Sequence, residues 1–476
     1  MDPDTRRTDG GRVLIGGSPL RILRLTAAGA TAVEGLVAGE PVGVAPTRQW
    51  LARRLLDSGL AHPRPAPVRE PAPRVAIVIP VRDRPAGLAA TLASLASLAS
   101  LASLAALAAE GHPPVVVVDD GSIGPGTADI ARIAGAKVLR HERSRGPAAA
   151  RNTGWRSTDA DVIAFVDADC VPADGWLDAL LPHLVDPSVG AVAPRIVASA
   201  PLGAPRWLIA YERSRSSLDR GRCEGPVRPR SRIPFVPAAT LVVRRSALEE
   251  MRGFDERLVV GEDVDLVWRL GAAGWTVRYE PAATVAHPLR PDTVAWLRQR
   301  FAYGSSAAAL GVRHGRAVAP LTVSGWSAMA WGLAALRRPL AGLGVATATT
   351  ALLARRLHGL DHPWREATNL AGRGHLGAGR LVADATRRAW WPLAIPIGLA
   401  WRRARPAVAA AFVVPPLVEW MKERPPIDPV RWTVARVADD LAYGAGVWAG
   451  AVRQRSATAL LPDLANWPGR RPAIES

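Results

Sequence analysis

Apolar positions change their rhythm three times along the chain. Residues 12–15 and 20–25 are short segments of apolar residues interspersed with arginine around the turn Gly16-Gly17-Ser18-Pro19 and predict two strands. Thr26 is placed to cap a helix over 27–38 that Gly39 ends, and Thr47 to cap a second helix carrying Leu51, Leu55 and Leu56 up to Gly59. Five prolines in residues 63–74 then predict an extended, semi-rigid linker. Beyond it, 75–79 and 115–118 are continuous apolar runs rich in β-branched residues, the pattern of strands buried on both faces of a parallel sheet. Residues 161–166, 191–193 and 237–244 extend the series, with helical stretches between, which predicts an α/β fold. In one such stretch leucines recur at 92, 95, 98, 101, 104 and 107. A step of three turns each leucine about 60° from the last, so they visit every face and read as a helix lengthened by low-complexity expansion.

From about residue 302 the rhythm becomes long and apolar. Residues 317–336, 339–354, 389–401 and 406–418 carry no charge, and only the first reaches the roughly 20 residues a bilayer crossing needs. Arginine pairs at 337/338, 355/356, 387/388 and 402/403 bracket these stretches, and 11 of the 17 tryptophans lie beyond Pro288. Apolar segments edged by Arg and Trp suit the cytoplasmic face of a cell membrane, with lipid as partner and multi-pass spanning as the stronger form of the expectation. The predicted organisation is a small domain at 1–62, a linker at 63–74, an α/β domain at 75–300 and a helical, basic, membrane-associated region at 301–476.

Charge sharpens this picture. The 476 residues carry 60 basic and 42 acidic side chains, a formal +18, of which residues 288–476 hold +14 (25 basic, 11 acidic). That excess permits nucleic-acid binding, yet the chain has no recognition-helix or RNA-binding signature, so no nucleic-acid partner is expected. Two cysteines, Cys170 and Cys223, cannot build a disulfide framework or a zinc cluster, and the acidic start Met1-Asp2-Pro3-Asp4 does not resemble a cleaved signal peptide.

The acids gather at strand ends. Val115 to Val118 lead into Asp119-Asp120-Gly121-Ser122, and carboxylates past the end of a buried parallel strand face the crevice where such sheets bind ligands. The first strand runs into Pro80-Val81-Arg82-Asp83-Arg84-Pro85, without the G-x-G-x-x-G of a dinucleotide fold. Asp167-Ala168-Asp169 ends another apolar run. Residues two apart on an extended segment share a face, and paired oxygen ligands suit Mg²⁺ or Mn²⁺ on a diphosphate. Gly253-Phe254-Asp255-Glu256 precedes Gly261-Glu262-Asp263-Val264-Asp265, where acids also serve a helix first turn, and Asp265 with Arg269 reads as an i,i+4 surface pair. Gly146 to Gly154 combines small residues with Arg151, allowing close backbone approach to a ligand or tight packing of a helix on the sheet.

In this order and spacing the motifs resemble family 2 glycosyltransferases of the GT-A fold (a Rossmann-like nucleotide-diphospho-sugar transferase core) across residues 74–300. The whole chain resembles the mycofactocin-system branch, and residues 1–62 resemble winged-helix, PqqD-like modules that bind leader peptides. The resemblance implies that Asp119 and Asp120 contact the base of a nucleotide sugar, with Pro80 and Arg82 lining the same pocket. Asp167 would lie near the ribose, Asp169 and His287 on a divalent metal, and Asp263 would be the catalytic base; Arg151, by the motif's own chemistry, is available for phosphate charge. It further implies UDP-glucose as donor, premycofactocin, a small redox cofactor, as acceptor, a β-1,4 glucose oligomer as product, and a peptide or partner protein at the N-terminal domain. A cell-envelope lipid or polysaccharide is the alternative acceptor. Processive polymer synthases of the superfamily carry Gln-x-x-Arg-Trp after the base; here Arg298-Gln299-Arg300-Phe301-Ala302-Tyr303-Gly304 lacks that tryptophan, which argues against coupled polymer export.

Overall fold

The computed structural model describes residues 1–68, 72–99, 113–201 and 203–465. Contacts divide the chain into two compact units, Met1–Leu202 with Arg215–Leu289, and Gly203–Ser214 with Arg290–Ser476.

The first unit opens with an antiparallel three-stranded sheet, β1 (Arg6–Thr8), β2 (Val13–Gly16) and β3 (Arg21–Arg24), followed by α1 (Ala27–Val37) and α2 (Pro46–Asp57). Thr26 Oγ1 accepts from the Gly29 N–H at 3.1 Å and caps α1 as its sequence predicts. Thr47 caps nothing: α2 begins one residue earlier on Pro46, whose fixed φ suits a first turn, and its N-cap Ala45 offers no side-chain bond. Leu14, Val33, Leu51, Leu55 and Leu60 form a small core beneath these elements.

A nine-stranded sheet follows, built from β4 (Val75–Val81), β5 (Val115–Asp119), β6 (Lys137–Arg140), β7 (Val162–Val166), β8 (Val171–Pro172), β9 (Val189–Ser199), β10 (Gly225–Pro226), β11 (Thr240–Arg244) and β12 (Thr276–Pro288). Its order is β10-β12-β9-β11-β7-β4-β5-β6, with β8 beside β12. β4, β5, β6 and β7 are parallel neighbours, whereas β11 runs antiparallel to both β7 and β9. The expected strand at 237–244 thus starts at 240 and is reversed; its apolar centre Leu241-Val242-Val243 carries no mark of direction, because burial on two faces looks the same either way.

Helices α3 (Pro85–Ala99), α4 (Gly126–Ile133), α5 (Pro147–Arg156), α6 (Trp176–Leu180), α7 (Arg206–Arg215), α8 (Arg245–Met251) and α9 (Glu262–Ala272) alternate with the strands. Of the leucine series, Leu92 and Leu95 are buried, and residues 101, 104 and 107 lie outside the described residues. Gly154 on α5 approaches β4 so closely that a Cβ there would overlap the Val78 side chain, so the small residues of this motif serve packing on the sheet.

The second unit is helical: α10 (Thr293–His314), α11 (Gly325–Ala335), α12 (Pro339–Arg356), α13 (Pro363–Arg388), α14 (Trp391–Ala400), α15 (Arg405–Glu423) and α16 (Pro429–Arg453), together with most of α7. Among the described residues no helix is long and apolar enough to cross a membrane. The uncharged run 317–336 is divided between a 3₁₀ turn, a short strand β13 (Thr322–Ser324) paired with β14 (Asp463–Ala465), and α11. Ser324 makes the division: its Oγ accepts from the Ser327 N–H at 3.1 Å and starts α11 afresh. α10 and α16 pack backbone to backbone, since a Cβ on Gly304 or Gly446 would overlap the carbonyl of Tyr443 or Phe301.

Candidate active site

Three groups of side chains assemble where the parallel strands end. The first ties the loops after β4 and β5. The Asp83 N–H donates to Ser122 Oγ at 2.8 Å, and Asp83 Oδ1 accepts from the Ile123 N–H at 2.7 Å. Pro80 lies in β4 opposite Val118, and Arg82 Nη1 donates to Ser144 Oγ at 3.0 Å. Asp120 is saturated: His141 Nδ1 and the Arg145 N–H lie 2.7 and 2.8 Å from its Oδ1, and Ser144 Oγ and the Gly146 N–H donate to Oδ2 at 2.7 and 2.9 Å. Burial works to raise its pKa, but these bonds outweigh burial and hold it below the usual carboxylate value. Asp119 is fully buried. Its Oδ1 accepts from the Ser122 N–H at 2.9 Å, while Oδ2 has no hydrogen-bond partner and lies 3.5 Å from Arg140 Nη1. Asp120 therefore shapes the 141–146 loop, and Asp119 keeps one buried acceptor to spare.

The second group centres on Arg151, projected from α5 and 4% exposed. Its Nη2 donates to Asp167 Oδ1 at 2.7 Å and its Nη1 to Glu262 Oε1 at 2.8 Å. Glu262 and Asp263 open α9, after Gly261 turns the backbone through the left-handed region at φ 87°. Asp263 Oδ1 accepts from the Val264 N–H at 2.8 Å and Oδ2 from the Ala238 N–H at 3.2 Å, which fixes the carboxylate at the helix N-terminus. Burial raises the pKa of Asp263, and the two N–H groups and Arg151 offset only part of that rise. Glu262 is pushed up to about 7, first by burial and then by the neighbouring Asp263 charge. One guanidinium thus serves three carboxylates, too little positive charge to neutralise them all.

In the third group Asp169 meets His287. Asp169 ion-pairs with Arg84 from the β4 loop, and its Oδ1 lies 3.6 Å from His287 Nε2 on β12. Both side chains are only slightly exposed. Among the described residues no cluster of three or more acids, histidines or cysteines is arranged to hold a cation unaided. One carboxylate with an imidazole 3.6 Å away would fit a divalent ion that draws its other ligands from a diphosphate and water, and the imidazole favours Mn²⁺ over the oxygen-seeking Mg²⁺.

Remaining motif residues brace the site. Asn152 Nδ2 donates to the Phe254 carbonyl at 2.8 Å and its Oδ1 accepts from the Phe254 N–H at 2.9 Å, pinning the 253–256 turn ahead of α9. Asp265 is not a surface residue: it is fully buried, bonded to Arg269 Nε at 2.7 Å, while Arg269 also donates to the carbonyls of Met251 and Gly253. Sequence reasoning missed Glu262 as a site residue, although it adjoins the expected base. It also missed Arg84, His141 and Ser144, whose roles come only from loop folding and leave no periodic or spacing signal.

The sequence model described as glycosyl transferase family 2 matches residues 76–252, which contain all three strand-end motifs before α9. The pre-mycofactocin glycosyltransferase of Mycobacterium tuberculosis is 41% identical over 98% of this chain and 97% of its own length. Glycosyltransferase AglE of Haloferax volcanii is 29% identical over 37% of this chain and 57% of its own. Among solved structures, the mannosyltransferase PcManGT from Pyrobaculum calidifontis, in complex with GDP-Man and Mn²⁺, aligns over 74% of this chain and 96% of its own with 20% identity and a TM-score of 0.41. The near full-length identity and the ordered motifs lead to one conclusion: this chain is an enzyme that belongs to glycosyltransferase family 2, with its α/β GT-A-type fold, in the branch of the mycofactocin-system glycosyltransferases.

Proposed function

We propose that this enzyme transfers glucose from UDP-glucose, with inversion and with a divalent metal, to premycofactocin, and repeats the transfer to build a β-1,4 oligomer. The carrying observation is Asp263: a half-buried carboxylate with raised pKa, fixed by two backbone N–H groups and adjoining the Arg151–Asp167 pair. Inverting transfer needs a base on the face of the sugar opposite the leaving group. The acceptor hydroxyl gives its proton to the Asp263 carboxylate as its oxygen bonds to the anomeric carbon and the bond to the diphosphate breaks. A bound Mn²⁺ or Mg²⁺ supplies charge neutralisation for that diphosphate, and Asp169 with His287 are the residues that would hold it. Asp119, Pro80 and Arg82 would receive the nucleotide base, and Asp167 the ribose, with Arg151 keeping Asp167 in place.

The second unit seats the enzyme at the cytoplasmic face of the membrane, by attachment to lipid rather than by crossing. Leu340, Leu343, Ile397, Leu399 and Trp401 are exposed beside the exposed arginines 337, 338, 355, 356, 402 and 403, a combination that favours an anionic bilayer surface. Residues 1–62 dock a peptide or partner protein. The decisive experiment incubates the intact chain with UDP-glucose, Mn²⁺ and a small-molecule extract of the source cells. Successive hexose mass increments on a small redox-active acceptor are expected, whereas increments only on lipid or polysaccharide would transfer the assignment to a cell-envelope acceptor. Co-sedimentation with anionic, but not zwitterionic, vesicles is the matching check on the second unit.

A further inference from the structure

Within the first unit, residues 1–62 are fastened to the large sheet by specific polar contacts. Arg53 Nη1 lies 2.8 Å from Asp186 and its Nη2 donates to Thr276 Oγ1 at 2.9 Å, while Arg232 pairs with both Asp2 and Asp4. Between the fastenings lie two cavities of about 770 and 650 Å³, adjoining along Pro63, Pro65, Pro182 and His183. Each is of the size that small-molecule sites occupy. Val162, Val189 and Thr276, the first residues of β7, β9 and β12, line the smaller one. The carboxylates of the active site stand at or just past the last residues of β5 and β7, so the smaller cavity sits at the opposite end of the sheet, and the larger adjoins it.

The wall of the smaller cavity contains a buried guanidinium that lacks a hydrogen bond at two of its nitrogens. Arg278 is 3% exposed, and its Nε and Nη2 have no hydrogen-bond partner. Two glutamates are near but committed elsewhere: Glu280 contacts His183 Nε2 at 3.0 Å and accepts from the Ala282 N–H at 2.9 Å, and Glu224 Oε1 pairs with Arg64 at 2.8 Å. Glu224 Oε2 and His183 Nδ1 are themselves buried and unpartnered. Burial lowers the Arg278 pKa to about 10 against the pull of both glutamates. Buried polar groups are nearly always paired, and here a donor on the wall of the smaller cavity and an acceptor on the wall of the larger one, each within the other's electrostatic pull, lack a hydrogen-bond partner. The neighbouring glutamates disfavour a doubly charged phosphate, whereas a planar monoanion suits a guanidinium. Leu56, Leu181, Leu184 and Val185 supply an apolar wall.

We infer that this pair of cavities binds an amino-acid unit with a free α-carboxylate, an adjacent N–H and an apolar side chain, either as a free amino acid or as the C-terminal residue of a peptide. Arg278 takes the carboxylate, Glu224 takes the N–H, and the leucines and valine receive the side chain. The site is remote from Asp263 and independent of the donor and acceptor assigned above, so sugar transfer can fail or succeed without bearing on it.

Calorimetric titration of the intact chain with N-acetyl-leucine and N-acetyl-leucinamide tests the inference without any variant. The acid is expected to bind at least about tenfold more tightly than the amide. Equal affinities, or no heat from any carboxylate probe, overturn it. Leucine and a short peptide ending in leucine separate the two sources: binding of leucine itself supports the free amino acid, and binding of the peptide alone supports the peptide end. Arg278→Gln should erase the preference for acid over amide while leaving UDP binding intact; a retained preference in a variant with the wild-type circular dichroism spectrum counts against the site. Location has its own readout, because Cys223 lines the larger cavity and is exposed while Cys170 is buried. Saturating N-acetyl-leucine should slow alkylation of Cys223 by N-ethylmaleimide several-fold, and an unaltered rate would place the ligand elsewhere.

Discussion

Asp263 and Asp440 are both carboxylates on helices, both close to arginine, and their chemistry is opposite. Asp263 shares the single guanidinium of Arg151 with Asp167 and Glu262, and burial raises its pKa. Asp440, fully buried on α16, is ringed by arginine: Arg387 and Arg436 ion-pair with it and Arg388 Nη1 lies 3.4 Å away. Burial again works to raise its pKa, but Arg436, Arg388 and Arg387 overwhelm burial and hold it well below the carboxylate range. Which charge is in excess decides the outcome. A carboxylate surplus makes a group that takes a proton readily, while an arginine surplus makes a fixed anion that ties α13 to α16.

Breaking each site should therefore fail in its own way. Asp263→Asn is expected to lower sugar transfer by about 10²–10⁴-fold with donor affinity nearly unchanged, read from steady-state rates and nucleotide calorimetry; full turnover would remove Asp263 as the base. Asp440→Asn removes the anion three arginines share, leaving Arg387 with Asp384 and Arg436 with Glu419, and should lower the unfolding free energy of the second unit by about 3 kcal/mol, read from denaturant unfolding. Because Asp440 has a depressed pKa, its contribution is complete above the unfolded value near 3.8 and fades as pH falls through the lower folded value. Arg151→Gln sharpens the comparison from the other side. Without the guanidinium the Glu262–Asp263 pair should hold its proton to higher pH, moving the acid limb of the rate profile up by about one unit, equivalent to ~1.4 kcal/mol. The smallest effect belongs to Glu262→Gln. Glu262 binds its proton more tightly folded than unfolded, so the native chain loses stability as pH rises from 4.5 through about 7, and the variant should flatten that slope in a thermal-melt series.

Much of this was legible in the residues themselves. β4, β5 and β7 announce themselves as apolar runs rich in β-branched residues, and the acids that follow them can only stand at strand ends. The resemblance implies a shared metal for Asp169 and His287, and the fold brings the two side chains within 3.6 Å, whereas the presence of Arg84 on the same carboxylate is set by a loop with no pattern to read. β6, with the sequence Lys-Val-Leu-Arg, is a partly exposed edge strand whose short apolar core gives no signal. Asp265 shows another limit. An i,i+4 pair looks the same in sequence on a wet face or a dry one, and only packing against Met251 and Gly253 decided which. The 317–336 run has the length of a bilayer crossing by hydropathy alone, yet it contains Ser324, whose capping hydroxyl ends its continuity.

Residues 203–214 belong to the second unit although they lie between two parts of the first. Leu208 and Tyr211 pack with Trp296 and Trp432, Trp296 Nε1 and Arg300 bond to Glu212, and Tyr211 donates to Asp439 on α16 at 2.8 Å. During synthesis this helix leaves the ribosome more than 200 residues before α16 does, a wait on the order of 10–50 s at about 5–20 residues per second. For that time a tyrosine, a leucine and a glutamate that end up buried have no core to enter. The nascent chain is then a natural client for chaperones, and a fragment cut near residue 290 carries the same orphaned helix permanently.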